Sequence, residues 1–308
     1  MPRAIVVHEW GGPQVLKLED LPRPVPKDDE VLIRVRAASI NPLDWKIREG
    51  ARRANFSTPY YPGCDVAGTV EEAGAAVKAF KVGDAVYSMI GRSGGYAEYA
   101  LAKAELVAPK PAGLDFAHAG AVPLAALTAW QMLIENGNLK AGQRVLVHAA
   151  AGGVGGYAVQ MARYLGAYVI GTASARNHDY LHGIGAQETI DYNTERFESV
   201  VRDIDLVIDL MAGEVQQRSW GVIKRGGTLV CALGPPDSAQ AAAAGVNAKA
   251  QSVRPDGAQL RQIGSLIDVG RIKVELAASF PLEKAVDAHR LSETGHVRGK
   301  IVLTMPAN

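Results

Sequence analysis

The chain has 308 residues, with 33 lysines and arginines against 32 aspartates and glutamates, so it offers no basic face to a nucleic acid or a membrane surface. Its two cysteines, Cys64 and Cys231, lie far apart in the sequence, which argues against a disulfide framework and favours a reducing compartment. No signal peptide and no window of roughly 18 apolar residues is present, so the sequence predicts a cytoplasmic globular enzyme with room for two cores.

Residues 1–122 have the pattern of a β-barrel-like domain. The segment VLIRVRA (31–37) alternates apolar and polar side chains, as a half-buried strand does. The later segments GTVEEAG (68–74) and GDAVYSM (83–89) repeat this style, with glycine at the turns. We therefore expect short antiparallel strands throughout this part of the chain.

The pattern changes at Pro123, where a helix is predicted over 123–136. Apolar strands and helices then alternate, which predicts a parallel sheet wound by right-handed crossovers. The segment VNAKAQSV (246–253) is expected to add the edge strand, and 234–247 is expected to be a loop. The last strand, RGKIVLTM (298–305), is expected to return to the first domain. The predicted division is a domain of 1–122 with 254–308, and a second domain of 123–253.

The segment VLVHAAAGGVGGYAVQMARYLGA (145–167) indicates a strand, a glycine-rich turn and a helix. Ala150, Gly152 and Gly155 match the spacing of the dinucleotide fingerprint, with alanine in the first place, and Gly153, Gly155 and Ala158 match it about as well. A helix N-terminus in this position presents free N–H groups to a pyrophosphate. His148, just before the turn, is interpreted as a structural histidine at the end of a buried strand.

The end of the next strand indicates which dinucleotide binds. An NAD site usually has an acidic residue there, about 20 residues after the first glycine, to accept from the ribose 2′-hydroxyl. Here GTASARNHD (171–179) provides Ser174, Arg176 and Asn177 before any acid. A hydroxyl and a guanidinium suit a 2′-phosphate, whereas a carboxylate would repel it. We therefore predict NADPH as the cofactor, with Tyr192 placed to cover the same phosphate.

Several segments together resemble the zinc-independent quinone oxidoreductase (zeta-crystallin-like) branch of the medium-chain dehydrogenase/reductase superfamily. The resemblance covers essentially the whole chain, and its strongest pieces are SINPLDWKIREG (39–50), PGCDVAGTVEEAG (62–74), ALTAW (126–130), HAAAGGVG (148–155) and VRGKIVL (297–303). It implies an α/β fold class: a GroES-like β-barrel catalytic domain plus a Rossmann domain with a doubly wound parallel sheet. It also implies an active site in the cleft and a homodimer joined through the Rossmann sheet edges.

The resemblance implies a set of cofactor-binding residues. Gly152, Gly153 and Val154 would contact the pyrophosphate, and Thr128 the nicotinamide carboxamide. Along the nicotinamide ribose it places Ala212, Leu233 and Gly234, and it places Lys300 on the C-terminal strand, where it would close the cleft.

The sequence also indicates whether the chain has the ligands of a catalytic zinc site. Alcohol dehydrogenases of the superfamily carry a zinc-binding cysteine where this chain has Asn41, and a Gly-His-Glu where it has Gly63, Cys64 and Asp65. One thiol and one amide do not supply the three good ligands that a catalytic zinc needs, so we predict no metal site. Without a Lewis acid, alcohol oxidation is disfavoured.

The chemistry that remains is hydride transfer to an acceptor that stabilises its own charge, such as a quinone or an α,β-unsaturated carbonyl. The resemblance implies catalytic roles for Asn41, Asp44 and Lys46 near the nicotinamide and the substrate. Lys46 is the predicted cationic donor to the developing oxyanion, although a solvated charge or a ribose contact is an equal alternative. Two other functions stay open: an NADPH-binding protein with a structural or interaction role and little turnover, and an enoyl-thioester reductase.

Overall fold

The computed structural model describes residues 1–51 and 54–306. By compactness the chain forms two units. The first unit comprises Met1–Leu124, Arg254–Gly270 and Val274–Asn308, and the second comprises Ala125–Val253 with Arg271–Lys273. The last two residues of the predicted first domain, 307 and 308, lie outside the described residues.

The strands are, in chain order, β1 Arg3–Val7, β2 Leu16–Asp20, β3 Glu30–Ile40, β4 Asp65–Ala73, β5 Ala85–Met89, β6 Tyr99–Lys103, β7 Val107–Pro109, β8 Arg144–Val147, β9 Tyr168–Ala173, β10 Glu188–Asp191, β11 Ile204–Asp209, β12 Ile223–Cys231, β13 Asn247–Ala250, β14 Leu276–Pro281 and β15 Lys300–Thr304. The α-helices are α1 Pro42–Arg48, α2 Phe116–Gly120, α3 Pro123–Trp130, α4 Gly153–Tyr164, α5 His178–Gly183, α6 Phe197–Val200, α7 Gly213–Ser219, α8 Ser238–Ala244, α9 Gly257–Asp268 and α10 Ala285–Glu293. A π-helical turn, Gln131–Asn136, continues α3.

The first unit is built on a seven-stranded sheet in the order β14-β15-β3-β4-β5-β7, with β6 also paired to β3. Its neighbouring strands are antiparallel except for β14 and β15. The C-terminal strand pairs with the end of β3, where Ile301 lies opposite Ile40. This pairing fixes Lys300 beside the start of α1. Apolar side chains of the strands form the core, among them Ile33, Val35, Val66, Val86 and Leu303.

The second unit contains a six-stranded sheet in the order β10-β9-β8-β11-β12-β13, and every pair in it is parallel. The order reverses between β8 and β11, which is the switch point of a doubly wound Rossmann sheet. The central strands are apolar without alternation because helices cover both faces of such a sheet; Val145, Leu146 and Val147 are fully buried. The predicted fold class is confirmed, and β13 is the edge strand that the sequence predicted.

The prediction of a loop over 234–247 is wrong, because α8 occupies Ser238–Ala244. The Asp237 side chain accepts hydrogen bonds from the N–H groups of Ala239 and Gln240 and so caps the helix. Gly245 ends it in the left-handed conformation, at φ 67°. An aspartate cap, five alanines and a terminal glycine together are a helix signal, which outweighs the two prolines before them.

Candidate functional site

Three of the predicted site residues meet at the start of α1. The Asp44 carboxylate accepts the backbone N–H of Asn41 at 2.7 Å, so it ties the first turn of the helix to the residue before it. Lys300 donates from Nζ to the carbonyl oxygen of Ile40, at 2.9 Å, and to Oδ1 of Asn41. Asn41 and Asp44 are buried and Lys300 is 5% exposed, so the group is formed within the unit rather than by solvent.

A second carboxylate, Asp65, completes this arrangement. Its Oδ2 accepts from the Ser39 hydroxyl at 2.6 Å and from Nδ2 of Asn41 at 2.9 Å, and its Oδ1 accepts the backbone N–H of Leu124 at 2.8 Å. The Asn41 amide therefore bridges a buried ammonium and a buried carboxylate. Burial raises the pKa of Asp65, while Lys300, Ser39 and Asn41 oppose the rise. Burial lowers the pKa of Lys300, and Asp65 opposes that fall.

A directional chain of hydrogen bonds runs from Arg48, at the end of α1, through His289 on α10 to Asp44. Arg48 Nη1 lies 3.3 Å from Nδ1 of His289, and His289 Nε2 lies 3.3 Å from the Tyr96 hydroxyl, which donates to Asp44 at 2.8 Å. Since a guanidinium can only donate, Nδ1 accepts and the proton of the neutral imidazole is on Nε2. Every donor in the chain therefore points toward Asp44.

The surroundings of Arg48 and His289 stabilise this chain of hydrogen bonds. Arg48 is fully buried, and it also donates to the carbonyl oxygen of Gly11 and to the carboxylates of Glu49 and Glu293. Burial, followed by the charge of Arg48, lowers the pKa of His289 to about 3, so this ring is neutral at physiological pH.

Asp44 has an unusual environment for a carboxyl group. Burial raises its pKa to about 6, although the hydrogen bonds from Asn41, Tyr96 and Cys64 oppose the rise. The Cys64 thiol donates to Oδ1 of Asp44 at 3.2 Å, and burial raises the pKa of that thiol well above its ordinary value. Cys64 is thus a protonated, buried donor and not a reactive thiolate.

Lys46 lies apart from this group. It is half-buried on α1, and its Nζ lies over the ring of Trp45, 5.4 Å from the ring centre. No hydrogen bond joins Lys46 to Asn41 or Asp44 among the described residues. Asp44 therefore orients the backbone at Asn41, while the Lys46 ammonium lies outside this group.

In the second unit, the glycine-rich turn connects β8 to α4. Gly152 is the residue before the helix, and Gly153 and Val154 begin it. A Cβ atom at Gly155 would lie 2.3 Å from the carbonyl oxygen of Ala149, so only glycine fits where the helix crosses the strand end. A Cβ atom at Gly152 would lie 3.3 Å from the same carbonyl oxygen and, beyond its chain neighbours, would meet no other heavy atom of the described residues within 4 Å. The turn has the form that a dinucleotide pyrophosphate requires, with free N–H groups in the first turn of α4.

The residues predicted to bind the 2′-phosphate lie at the carboxyl ends of two adjacent strands. Ser174, Arg176 and Asn177 follow β9, and Asn177 donates from Nδ2 to the Ser174 hydroxyl at 3.2 Å. Tyr192 follows β10 and is 54% exposed. Neighbouring parallel strands end at one edge of the sheet, so these side chains share that edge. A hydroxyl, an amide and an exposed guanidinium there fit a phosphate.

The predicted nicotinamide-side residues follow the next two strands on the other side of the switch point. Asp209 at the end of β11 accepts the N–H of Ala212 at 2.8 Å, and Ala212 has φ 56°, a conformation that costs an alanine free energy. Leu233, which is 48% exposed, and Gly234, at φ 148°, follow β12. Thr128 is buried on α3.

Sequence reasoning missed Tyr96, His289 and Arg48. Tyr96 lies 52 residues from Asp44, and His289 lies 241 residues from Arg48, so these side chains meet only through the fold. Arg48 falls within the quoted segment 39–50, but it was given no role. Ser39 was quoted only as part of a motif and was given no role. A buried arginine is rare unless it is paired, but its burial is invisible before the structure is known.

No group of three or more histidine, cysteine, aspartate or glutamate side chains within 1–51 and 54–306 is arranged to hold a metal ion. Of the helices in the same ranges, none has the length and apolar character that crossing a bilayer demands.

Comparisons with known proteins agree over the whole chain. Residues 27–112 match the family of the alcohol dehydrogenase GroES-like domain, and residues 184–303 match a family described as zinc-binding dehydrogenase. The quinone oxidoreductase of Pongo abelii is 33% identical over 321 residues, covering 98% of both chains. The chloroplastic NADPH-dependent alkenal/one oxidoreductase of Arabidopsis thaliana is 35% identical, covering 98% of this chain and 79% of that protein.

Solved structures give the same result. The quinone oxidoreductase from Coxiella burnetii has a TM-score of 0.93 at 36% sequence identity, covering 99% of each chain. The Escherichia coli quinone oxidoreductase, solved in complex with NADPH, has a TM-score of 0.90 at 29% identity, covering 98% of this chain and 99% of that one.

Proposed function

We propose that this chain is an NADPH-dependent reductase of quinones or α,β-unsaturated carbonyls. The premise is its family: the chain belongs to the quinone oxidoreductase (zeta-crystallin-like) branch of the medium-chain dehydrogenase/reductase superfamily. The observation that carries the proposal is the edge of the second unit's sheet. There, a glycine turn that tolerates no side chain at Gly155 lies beside a strand end with Ser174 and Arg176 and no acid. The names of the relatives, a quinone oxidoreductase and an alkenal/one oxidoreductase, support the acceptor class.

NADPH supplies the hydride in this reaction. Gly152, Gly153 and Val154 would hold its pyrophosphate through backbone N–H groups. Its 2′-phosphate would be held by four side chains at the strand ends: Ser174, Arg176, Asn177 and Tyr192. Thr128, Ala212, Leu233 and Gly234 would hold the nicotinamide side.

The first unit orients the acceptor. The bonds among Asn41, Asp44 and Lys300 fix the start of α1 in one geometry, so the catalytic segment does not reorganise during the reaction. Lys46, the ammonium of α1 that is not bonded to that group, would donate to the oxygen on which negative charge develops. Water would supply the final proton, because Asp44 is buried and already accepts three donors.

We also propose that no metal takes part. Asn41 and Cys64 stand where the zinc-dependent relatives have ligands, but their polar atoms already bond to Lys300, Asp65 and Asp44. Activity is accordingly expected to survive dialysis against EDTA, and a loss that zinc restores would refute this part of the proposal.

The decisive experiment is a panel of acceptors with NADPH consumption as the readout. Simple quinones and enones should be reduced with NADPH, and with NADH much more slowly. Turnover confined to acyl thioesters would instead identify an enoyl-thioester reductase. Tight NADPH binding with no turnover on any acceptor would identify a binding protein with a structural or interaction role.

Cofactor preference is tested by Arg176→Ala. Loss of the guanidinium should raise the KM for NADPH about tenfold and leave the KM for NADH unchanged, since only NADPH carries the 2′-phosphate. Arg196→Ala, which removes a guanidinium that is 71% exposed in the same unit, is the matched control. An equal response to both cofactors would refute the phosphate assignment.

We further propose that residues 1–122 with 254–308 form the catalytic domain, that 123–253 bind NADPH, and that the chain is a cytoplasmic homodimer. The free side of edge strand β13 supports a dimer joined through the Rossmann sheets. The two buried free thiols support a reducing compartment. A solution mass about twice 32.6 kDa is the expected result for the dimer.

A further inference from the structure

We infer that the first unit carries a second small-molecule site, which takes an uncharged planar aromatic molecule of one or two rings. It is a pocket of about 290 Å³ between the N-terminal strand, the segment after β2 and the segment from 90 to 101. Its walls include Pro2, Pro22, Tyr61, Tyr96, Tyr99 and Leu101, and we call it the proline–tyrosine pocket. A cavity at the small end of the range for ligand sites, lined by rings and apolar groups, suits a small flat molecule.

The pocket is formed before any ligand arrives. Backbone hydrogen bonds join its walls: Ile5 donates to the carbonyl oxygen of Tyr96 at 2.8 Å, and Leu21 donates to that of Pro2 at 2.8 Å. Gly94 donates to the carbonyl oxygen of Tyr61 at 2.8 Å. A ligand therefore binds without the cost of ordering the wall segments.

The charges around the pocket are already neutralised. Arg3 lies 3.0 Å from Glu98, and Arg23, whose guanidinium lies 5.2 Å from the centre of the Tyr99 ring, faces Glu71 and Glu72 at 3.6 Å. An anionic ligand gains little from arginines that are paired, so the pocket favours an uncharged one.

The pocket also offers polar groups. The hydroxyls of Tyr61 and Tyr99 have no hydrogen-bond partner within the described residues. Each can bind a carbonyl or hydroxyl on the rim of an aromatic ring, while the prolines and Leu101 contact its face.

The pocket is separate from the predicted catalytic group but touches it through one residue. Asn41, Asp44 and Lys46 do not line it. The Tyr96 ring forms part of its wall, and the Tyr96 hydroxyl donates to Asp44 at 2.8 Å. The inference also extends to the substrate class, and this part rests on the proposed function. A quinone at high concentration binds in the proline–tyrosine pocket and slows turnover through the contact of Tyr96 with Asp44.

The test compares binding stoichiometry in a pocket-filling variant, Ala97→Phe, with that in wild type. Ala97 lines the pocket, and a phenyl ring there would occupy the ligand's place. Equilibrium dialysis of the full chain, saturated with NADP⁺, measures bound 1,4-naphthoquinone. Ala97→Phe should bind one molecule fewer than wild type, whereas Ala79→Phe, on an exposed residue of the same unit, should match wild type. Equal stoichiometry in Ala97→Phe and wild type would overturn the inference.

Kinetics give a second readout. At low quinone all three proteins should have the same kcat/KM, and at high quinone the rate should fall in wild type and Ala79→Phe but not in Ala97→Phe. A stoichiometry difference without turnover of any quinone or enone in any of the three proteins refutes the proposed function and leaves the pocket standing. If Ala97→Phe does not fold, Tyr61→Phe decides: it should weaken binding at this site about fivefold, and unchanged binding overturns the inference.

Discussion

At the start of α1 the predicted catalytic residues are buried and bonded to one another, whereas at the ends of β9 and β10 the predicted phosphate-binding residues face solvent. Asp44 and Asn41 are 0% and 1% exposed, while Tyr192 is 54% exposed. Both regions hold charged or polar side chains, but only the first buries them.

The two regions differ in how their polar side chains are arranged in the chain without a ligand. The α1 region is preorganised, because Asn41, Asp44 and Lys300 have their partners before any ligand binds. The strand-end region relies on backbone geometry at Gly155, and its predicted phosphate-binding side chains are half-buried or exposed. Substitutions of the buried side chains in the first region should therefore affect folding, and those of the exposed side chains in the second should affect binding.

The largest expected effect is that of Arg48→Met. Removing the fully buried guanidinium leaves Glu293 and His289 without their donor, and it should destabilise the fold by about 3–5 kcal/mol. Arg290→Met, on an arginine that is 63% exposed on α10, the helix of His289 and Glu293, should cost less than about 1 kcal/mol. Urea unfolding of both variants measures this, and similar losses would show that the α1 region is not held as described.

The two glycines of the turn should separate folding from binding. Gly155→Ala brings a methyl group against the carbonyl oxygen of Ala149 and should destabilise the second unit by about 2 kcal/mol. Gly152→Ala, where the backbone is extended at φ −75°, should leave the unfolding free energy within about 1 kcal/mol and weaken NADPH binding about tenfold. Unfolding and fluorescence titration measure the two effects. Normal NADPH affinity in Gly152→Ala would contradict the pyrophosphate assignment.

Lys46→Met tests whether the Lys46 ammonium, which is not bonded to Asn41 or Asp44, takes part in the reaction. If the ammonium donates to the developing oxyanion, kcat should fall roughly tenfold or more while KM changes little. Lys81→Met, on an exposed lysine of the same unit, should leave both constants unchanged. An unchanged kcat in Lys46→Met would remove this residue from the reaction.

The smallest expected effect concerns the pH dependence of stability. The folded chain raises the pKa of Asp44 to about 6 from an ordinary 3.8, so the fold favours the protonated form and loses stability as the pH rises through this range. His289 and His148, whose pKa values are lowered to about 3 and about 4 by burial, have the opposite slope over the same pH values.

The difference between wild type and Asp44→Asn isolates the carboxyl group. Between pH 5 and 7.5, wild type should lose about 1 kcal/mol of unfolding free energy relative to the variant. Parallel pH profiles of the two proteins would show that Asp44 does not titrate in this range.

Local patterns in the sequence were enough to predict the Rossmann half of the fold. Apolar runs such as VLV and LVI, separated by helices, predict a parallel sheet, and the glycine spacing places the turn after β8. The segment after β9 predicts a basic strand end. The α8 helix was missed although its signals are local, because its aspartate cap was weighed less than the neighbouring prolines.

The buried network around Asp44 had no such signal. The single motif INPLD places Asn41 and Asp44 near each other, but the partners Asp65, Tyr96, His289 and Lys300 come from four distant parts of the chain. The pairing of β4 and β15 with β3 places Asp65 and Lys300, and the packing of α10 places His289. A backbone hydrogen bond from Tyr96 to Pro62 holds Tyr96.

By itself the sequence determined the class of most segments and which residue types stand at the strand ends, because helix caps, glycine turns and apolar periodicity act over a few residues. The tertiary structure alone decided which polar groups are buried and bonded to one another and which face solvent. That outcome depends on burial and on contacts between residues far apart in the chain, and it makes Asp44 part of a fixed network while Lys46, two residues later, stays outside it.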